Sequence, residues 1–313
     1  MRLGVVGAAV ALGGYGVVSR WGQVRVGLAG LGFVTITVGL LVVLAGLVAT
    51  MQVWRVFLAA LGSALPVSVA GRIFFVGQLT KYIPGSLWPV LAQMELAHAA
   101  RVPRSRTATA AVLTLLTSLC AGLLAALVTL PFLPAAATAG FRWAFLAALA
   151  LVALLHPRVV NAIVSRLLRL TRRPPLERPL SGRAVAAALA WGLLSWVVFG
   201  VQIWLLALRL GAPAGRGFLL AVGGFAFAWC AGFLVVIAPA GAGVRDVLLF
   251  AALTAVLSPG AATAVALVSR VLMTVGDLIL AGLAAGYARR HPAAAVLGYP
   301  VTSSTGSGPT GTD

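Results

Sequence analysis

The side chains that could do chemistry in this sequence are a few charges set inside long apolar segments. The single lysine, Lys81, lies in "GQLTKYIPGSLWPV" (residues 77–90), and further charges interrupt two later apolar segments. A charge inside a membrane-spanning segment is expensive, so such a residue is a functional candidate by default. Fixed positive charges could hold a phosphate, while carboxylates could balance them or relay protons. The substrate-binding candidates are Lys81, Tyr82, Pro84, Gly85, Trp88, Arg245, Arg72 and Arg270, and the charge-balancing candidates are Glu95, Asp246 and Asp277.

The segment after Lys81 is predicted to break a helix. Pro84 has no amide donor and clashes with the preceding turn, and Gly85 adds conformational freedom. Non-helical backbone at membrane depth is tolerated only where it is buried in protein or lines a polar cavity. The segment therefore predicts a re-entrant tip at which Lys81 meets an anionic headgroup. The alternative is an interfacial loop in which Lys81 snorkels and Tyr82 and Trp88 are aromatic anchors.

A second break is predicted in "APAGAGVRDVLLF" (residues 238–250), where Arg245 and Asp246 follow a Pro/Gly-rich turn. Glycines would let the backbone approach a ligand closely, and a helix beginning near Gly243 would direct its positive end at an anion. The alternative is an ordinary helix start, with the acid in its first turn and Arg245 facing water.

The last apolar segment, "VSRVLMTVGDLILAG", contains Arg270 and Asp277. A separation of seven residues places both on one helical face, two turns apart. That is too far for a direct pair, so we expect each to have a partner elsewhere in the bundle. A structural pairing of Asp277 with Arg245 or Arg72 is an alternative to a functional role, and Glu95 is a further candidate partner.

These charges must be positioned by a membrane-embedded helical bundle. The chain is 61% hydrophobic and 9% charged, with a mean hydropathy of +1.08, which leaves too little polar surface for a soluble domain. Segments of 18 or more apolar residues are long enough to cross a bilayer. We predict an all-α, polytopic membrane domain over residues 1–297 with about eight spans. The predicted spans are 3–18, 28–50, 107–130, 142–160, 184–208, 217–238, 244–258 and 262–288.

Residues 56–98 fit no single span and are predicted to enter and leave the membrane on one side. Residues 73–95 and 233–246 each run from an apolar segment through a Pro/Gly break to a lone acid. Paired segments of this kind in two halves of a chain are typical of transport sites. The correspondence indicates an inverted repeat, although chance placement of proline and glycine is an alternative.

The charge distribution predicts the orientation of the chain. There are 23 Lys and Arg residues against 5 Asp and Glu, and the arginines cluster in short connections such as 98–106 and 158–183. This is the pattern of the positive-inside rule, with contact to anionic headgroups as an added role and no nucleic-acid partner. We predict a multi-pass plasma-membrane protein with both termini cytoplasmic. The N-terminal segment is predicted to be an uncleaved helix, and the Gly/Ser/Thr-rich tail 298–313 to be disordered.

Enzyme chemistry finds little support in the sequence. No HExxH, GxSxG, Walker A or carboxylate-rich metal motif occurs, so we expect no catalytic residue, metal or cofactor. Cys120 and Cys230 lie in apolar segments and are interpreted as small core residues.

Two motifs resemble the lysylphosphatidylglycerol synthase transmembrane region, a flippase-like family. Its G-x-L-x-K-Y-x-P-G-x-x-W stretch is matched by Gly77, Leu79, Lys81, Tyr82, Pro84, Gly85 and Trp88. Its P-x-G-x-G-x-R-E stretch is matched by Pro239, Gly241, Gly243 and Arg245, with Asp246 in place of glutamate. The resemblance implies the translocating half of such proteins without the soluble aminoacyl-transferase domain. Related stand-alone members are associated with polyprenyl-linked glycans or other anionic lipids.

The function expected from these observations is flippase-like movement of an anionic lipid or a polyprenyl-linked precursor between leaflets. The alternative is a non-transporting scaffold subunit for a glycosyltransferase or a lipid-modifying enzyme. A membrane-embedded lipid transferase is a third option, weakened by the lack of a catalytic base. The expected partners are the bilayer, an anionic lipid or lipid-linked glycan, and either a membrane-bound glycosyltransferase or a second copy of the chain.

Overall fold

A computed structural model describes residues 21–82, 87–127, 158–159, 161–162, 166, 180–234 and 243–290. Within these ranges the chain forms α-helices and one 3-10 turn, which confirms the predicted all-α fold. The helices are α1 (Trp21–Ala60), α2 (Val67–Gln78), α3 (Trp88–Ala99), α4 (Arg104–Leu127), α5 (Gly182–Arg209), α6 (Ala214–Leu234), α7 (Val244–Leu253) and α8 (Pro259–Arg290), and the 3-10 turn is Leu79–Tyr82.

Five of the described helices are long and apolar enough to cross a membrane: α1 over Ala29–Ala60, α4, α5, α6 and α8. They correspond to the predicted spans 28–50, 107–130, 184–208, 217–238 and 262–288. The predicted span 244–258 instead contains the ten-residue α7, which is about 15 Å long and too short for a core of about 30 Å. The predicted span 3–18 and the tail 298–313 lie outside the described residues, as does the predicted span 142–160 apart from residues 158–159.

Helix α1 contains a break at Gly32, whose φ of 68° and ψ of 157° are not helical. A positive φ is accessible to glycine because it has no Cβ. The helix then continues to Ala60, ten residues beyond the end predicted from hydrophobicity.

Close contacts fix the relative directions of the long helices. Gly39 of α1 lies against Leu272 of α8, and Gly276 of α8 lies against Val43 of α1. Because these contacts advance together, α1 and α8 run in the same direction. Helix α5 runs beside α1 in the opposite direction, since its residues meet α1 in reverse order.

Helices α2 and α3 form a short hairpin that opens toward the C-terminal end of α8. Each has 12 residues and is about 18 Å long. The α1–α2 connection and the start of α4 are joined because Arg106 Nη1 donates to Gly62 O (2.9 Å) and Ser63 Oγ (3.1 Å). The hairpin therefore begins and ends at the same end of the bundle, with its 3-10 turn directed toward the middle.

Helices α6 and α7 form a second hairpin that opens toward the opposite end. Gly232 of α6 lies against the backbone of Arg245, and Gly224 lies against Ala252. Helix α7 thus runs back along α6 before the chain turns into α8 at Pro259. The connection between them, 235–242, lies outside the described residues.

The crossing of α5 and α6 at Gly200 provides a stability test. A Cβ on Gly200 would lie 2.5 Å from Val222 Cα, so one of the two backbones would have to move. We expect Gly200→Ala to lower the free energy of unfolding by about 1–3 kcal/mol. Thermal unfolding in detergent measures this loss. The matched control is Gly286→Ala, because a Cβ there meets nothing within 4 Å, and equal stability of the two variants would contradict the tight crossing.

Candidate functional site

The inner ends of the two hairpins lie against the middle of α8, and their side chains form a polar site there. Arg270 and Asp277 are 11 and 18 residues from Pro259, or about 17 and 27 Å along a helix of about 48 Å. Lys81 and Tyr82 come from the 3-10 turn of the first hairpin, and Arg245 and Asp246 come from the first turn of α7. We call these six residues the ionic cluster.

The first half of the ionic cluster is centred on the Asp277 carboxylate. Lys81 Nζ lies 2.6 Å from Asp277 Oδ2, and the Tyr82 hydroxyl donates to the same oxygen at 2.7 Å. The Asp277 side chain is 4% exposed and that of Lys81 is 29% exposed. The Lys81 ammonium also lies 5.5 Å from the centroid of the Tyr82 ring. A nearly buried acid is thus neutralised by a lysine that solvent or lipid can still reach.

The second half is centred on the Asp246 carboxylate. Arg270 Nη1 and the Gly243 amide both donate to Asp246 Oδ2. Gly243 adopts a φ of +90°, which directs its amide back at the carboxylate. An acid in the first turn is also stabilised by the positive end of the helix. The side chains of Arg270 and Asp246 are 33% and 28% exposed, so this pair is also accessible.

Arg245 is the buried cation of the ionic cluster, with a side chain that is 9% exposed. Its backbone packs against Gly232, and its guanidinium lies 5.5 Å from the centroid of the Phe225 ring. Its Nε is 3.6 Å from Asp246 Oδ1, and neither atom has a hydrogen-bond partner within the described structure. Arg245 is therefore held by packing and electrostatic attraction, and its buried Nε is left as an unused donor.

The two halves are neighbours because both are anchored on α8, where Arg270 and Asp277 lie two turns apart. Arg245, next to Asp246 in the chain, also interacts electrostatically with Tyr82 and Arg270. The ionic cluster contains three cations and two carboxylates, so it has an excess of one positive charge. Such a site can bind an anion, and an anion can exchange with either carboxylate at a shared cation.

Several predicted site residues lie outside the ionic cluster. Glu95 instead accepts hydrogen bonds from Arg104 (3.0 and 2.8 Å) at an exposed end of the hairpin, where Arg104 lowers the pKa of Glu95. Arg72 is exposed on α2 and pairs with none of the described acids, and Trp88 is the exposed first residue of α3. Pro84 and Gly85 lie outside the described residues.

The spacing argument for α8 is confirmed, but the alternative partners suggested for Asp277 are wrong. Arg270 and Asp277 have separate partners, as seven residues of separation require. The alternative pairing of Asp277 with Arg245 or Arg72 is wrong, because Asp277 contacts Lys81 and Tyr82. The 3-10 turn extends the hairpin far enough to bring Lys81 to α8.

Sequence reasoning missed other polar and aromatic contacts. Thr274 could have been found, because it lies four residues after Arg270 and three before Asp277, on the same helical face. Phe225 carries no signal in the sequence that would distinguish it from other aromatic residues. Ser269 donates to Gln202 Oε1 at 3.0 Å between α8 and α5, a buried interhelical hydrogen bond that only the packing reveals.

A metal site does not accompany this arrangement in the described part of the chain. No group of three or more His, Cys, Asp or Glu side chains suited to a metal occurs there. Cys120 and Cys230 are free and buried between α4 and α6, in agreement with their interpretation as core residues.

Comparison with known protein families shows the family to which the chain belongs. The family described as "Lysylphosphatidylglycerol synthase TM region" matches residues 4–281, which include the whole ionic cluster. This chain belongs to that family. The comparison with curated proteins finds no relative that matches. As a member of the lysylphosphatidylglycerol synthase transmembrane-region family, the chain is a multi-pass membrane protein with a lipid-related function.

The pair between Lys81 and Asp277 provides a test of the site's geometry. Asp277→Asn would leave the partly buried ammonium of Lys81 without its counter-charge, so we expect the free energy of unfolding in detergent to fall by about 1–3 kcal/mol. A double-mutant cycle compares Asp277→Asn, Lys81→Met and the double variant with wild type. The double variant should lose less stability than the sum of the two single variants, because the two residues form a pair. Glu95→Gln is the control, because its ion pair is exposed, and a purely additive double variant would count against a direct pair.

Proposed function

We propose that this protein moves an anionic lipid, or a polyprenyl-linked precursor, between the leaflets of the plasma membrane without acting as an enzyme. The observation that carries the proposal is the ionic cluster, with its excess positive charge halfway along a membrane-length helix. The family's lipid-related function supports the same direction.

The cluster would lower the main barrier to lipid translocation. A phosphate entering hydrocarbon loses its hydration, and this cost is large unless fixed opposite charges replace the water. Lys81 and Arg270 are each about one-third exposed, so a headgroup could reach both. Buried Arg245 would keep a fixed positive charge between Lys81 and Arg270, which would attract the phosphate as it moves through the bundle.

The two hairpins support an alternating-access mechanism. The α2–α3 hairpin opens toward one end of the bundle and the α6–α7 hairpin toward the other, and their inner ends meet at the ionic cluster. Helix α6 is long enough to cross a membrane, but its last turns pack beside Arg245, whose neighbour Asp246 pairs with Arg270 only about 17 Å along α8. We therefore propose that both hairpins are re-entrant and form an inverted pair, as in transporters whose broken helices bind substrate at the midplane. Rocking one hairpin on α8 would expose the cluster to one leaflet at a time.

The arginine distribution supports a cytoplasmic location for the open end of the α2–α3 hairpin. Arg101, Arg104 and Arg106 lie at this end, as do the last residues of α8, Arg289 and Arg290. Positively charged connections favour the cytoplasmic side. The end of α8 is therefore cytoplasmic in the proposed topology. Because α1 runs parallel to α8, α1 begins on the other side, and the predicted span 3–18 would return the N-terminus to the cytoplasm.

Lipid translocation in proteoliposomes tests the function. Wild-type protein should move fluorescent phosphatidylglycerol or a polyprenyl-phosphate-linked sugar, both of them phosphodiesters, across the bilayer. Lys81→Ala and Arg270→Ala should slow it about tenfold or more, since each removes a cation that offsets the desolvation of the phosphate. Lys81→Arg should retain more activity than Lys81→Ala.

The matched control for this assay is Arg183→Ala, which removes an exposed arginine from the start of α5. Loss of activity in this control would show that the assay responds to charge in general. If oriented, folded wild-type protein moves no anionic lipid, the transporter proposal is wrong. Retention of a glycosyltransferase or lipid-modifying enzyme on the same protein would then favour the scaffold alternative.

Labelling with a membrane-impermeant maleimide tests the hairpin topology. In a background with Cys120 and Cys230 replaced by alanine, Ala64→Cys and Arg101→Cys should label from the same face, because they flank the α2–α3 hairpin. Pro213→Cys, in the connection between α5 and α6, should label from the other face. Permeabilised membranes control for reactivity, and labelling of Ala64→Cys and Arg101→Cys from opposite faces would exclude a re-entrant hairpin.

A further inference from the structure

We infer that Asp246 and Asp277 are specificity-determining residues that make the site selective for a headgroup with a single negative charge, a phosphodiester. This inference rests on the proposed translocation function and assigns the charge class of its substrate. It depends on which charges are present in the ionic cluster and on how they are paired.

The net charge of the ionic cluster depends on whether other charged groups lie near it. Residues 83–86 ("IPGS") and 235–242 ("VVIAPAGA"), which follow Tyr82 and precede Gly243 in the sequence, contain no ionisable side chain. Arg72 precedes Lys81 by nine residues, or about 13 Å along a helix. Glu95 is paired with Arg104 at the exposed end of its hairpin. Among the described residues, the net charge at the site is therefore set by Lys81, Arg245 and Arg270 against two carboxylates.

Among the described residues, this pairing leaves one of the cations with only a long ion-pair contact. Asp277 is bound by Lys81 and Tyr82, while Asp246 is bound by Arg270 and the Gly243 amide. Within the described part of the chain, the ion-pair contact of Arg245 is the 3.6 Å approach to Asp246 Oδ1, its side chain is nine-tenths buried, and its Nε has no hydrogen-bond partner. A buried charge with an unused donor is costly, so binding an anion would relieve it.

The size of this excess determines the preferred ligand charge. A singly charged phosphodiester would bring the ionic cluster to neutrality. A phosphomonoester, with a charge near −2 above its second pKa of about 6, would leave an excess negative charge in a poorly hydrated site. A zwitterionic headgroup would leave the positive excess in place. If one carboxylate is neutralised, the excess positive charge grows by one, so the preferred ligand should carry one more negative charge.

The experiment compares three fluorescent lipids in proteoliposomes at pH 8: phosphatidylglycerol, phosphatidic acid and phosphatidylcholine. Wild-type protein should move phosphatidylglycerol about tenfold faster than phosphatidic acid or faster still, because an unbalanced charge is strongly unfavourable in a low-dielectric site. Asp246→Asn should shift the ratio of the two rates about tenfold toward phosphatidic acid. Asp277→Asn should shift it in the same direction.

Two controls separate charge selection from damage to the fold. Asp246 is partly exposed, so Asp246→Asn is the variant expected to remain folded if Asp277→Asn does not. Glu95→Gln removes an acid outside the ionic cluster and should leave the ratio unchanged. A ratio that shifts equally in Glu95→Gln would assign the effect to general surface charge and overturn the inference.

The outcomes distinguish this inference from the function on which it rests. Translocation of no anionic lipid by wild-type protein would reject the function itself. Equal rates for phosphatidylglycerol and phosphatidic acid, or an unchanged ratio in folded Asp246→Asn, would reject charge selection while translocation stands. Uptake of inorganic phosphate into the same vesicles in preference to lipid movement would assign the site to free anions and overturn the lipid-headgroup assignment.

Discussion

Hydrocarbon offers no hydrogen-bond partners, and the rest of this structure depends on that constraint. A charged or unpaired polar group can lie in the middle of the bundle only if protein groups replace water around it. Here six residues from three separate elements do so for one another, and α8 contributes to both halves of the cluster. The short helices α2 and α7 are tolerated because the 3-10 turn that follows α2 and the first turn of α7 contribute residues to this polar centre.

Close backbone packing makes the polar centre possible. In a membrane no hydrophobic driving force brings helices together, so their association depends on van der Waals packing, and small residues let the helix backbones come close enough for it. Gly232 lets α6 lie directly against the backbone of Arg245, and Gly276 lets α1 lie against α8 one residue before Asp277. Glycines on neighbouring helices therefore help to fix the positions of the charges.

The sequence was sufficient to predict the class of fold and the main charged residues of the site. Lys81, Arg245, Asp246, Arg270 and Asp277 stand out because each interrupts an apolar segment, and the energetic cost of doing so is a local property. Arg72 and Glu95 have the same local signature but lie elsewhere in the fold. Their separation from the cluster depends on which face of a short helix meets α8, and no pattern within a 12-residue helix determines that. The length of α7 was missed for a related reason, since an apolar segment of 15 residues looks the same whether it crosses the membrane or stops halfway.

The opposite charges that α8 offers at its two contact points have a consequence for how the protein assembles. It presents an arginine to the α6–α7 hairpin and an aspartate to the α2–α3 hairpin. A hairpin that docked at the wrong point would bring Lys81 toward Arg270, or Asp246 toward Asp277. Like charges would then repel, so the order of charges along α8 favours the correct docking of each hairpin. Because α8 follows both hairpins in the chain, Lys81 and Asp246 are synthesised before their α8 partners. The two ion pairs of the cluster can therefore form only once α8 has been inserted.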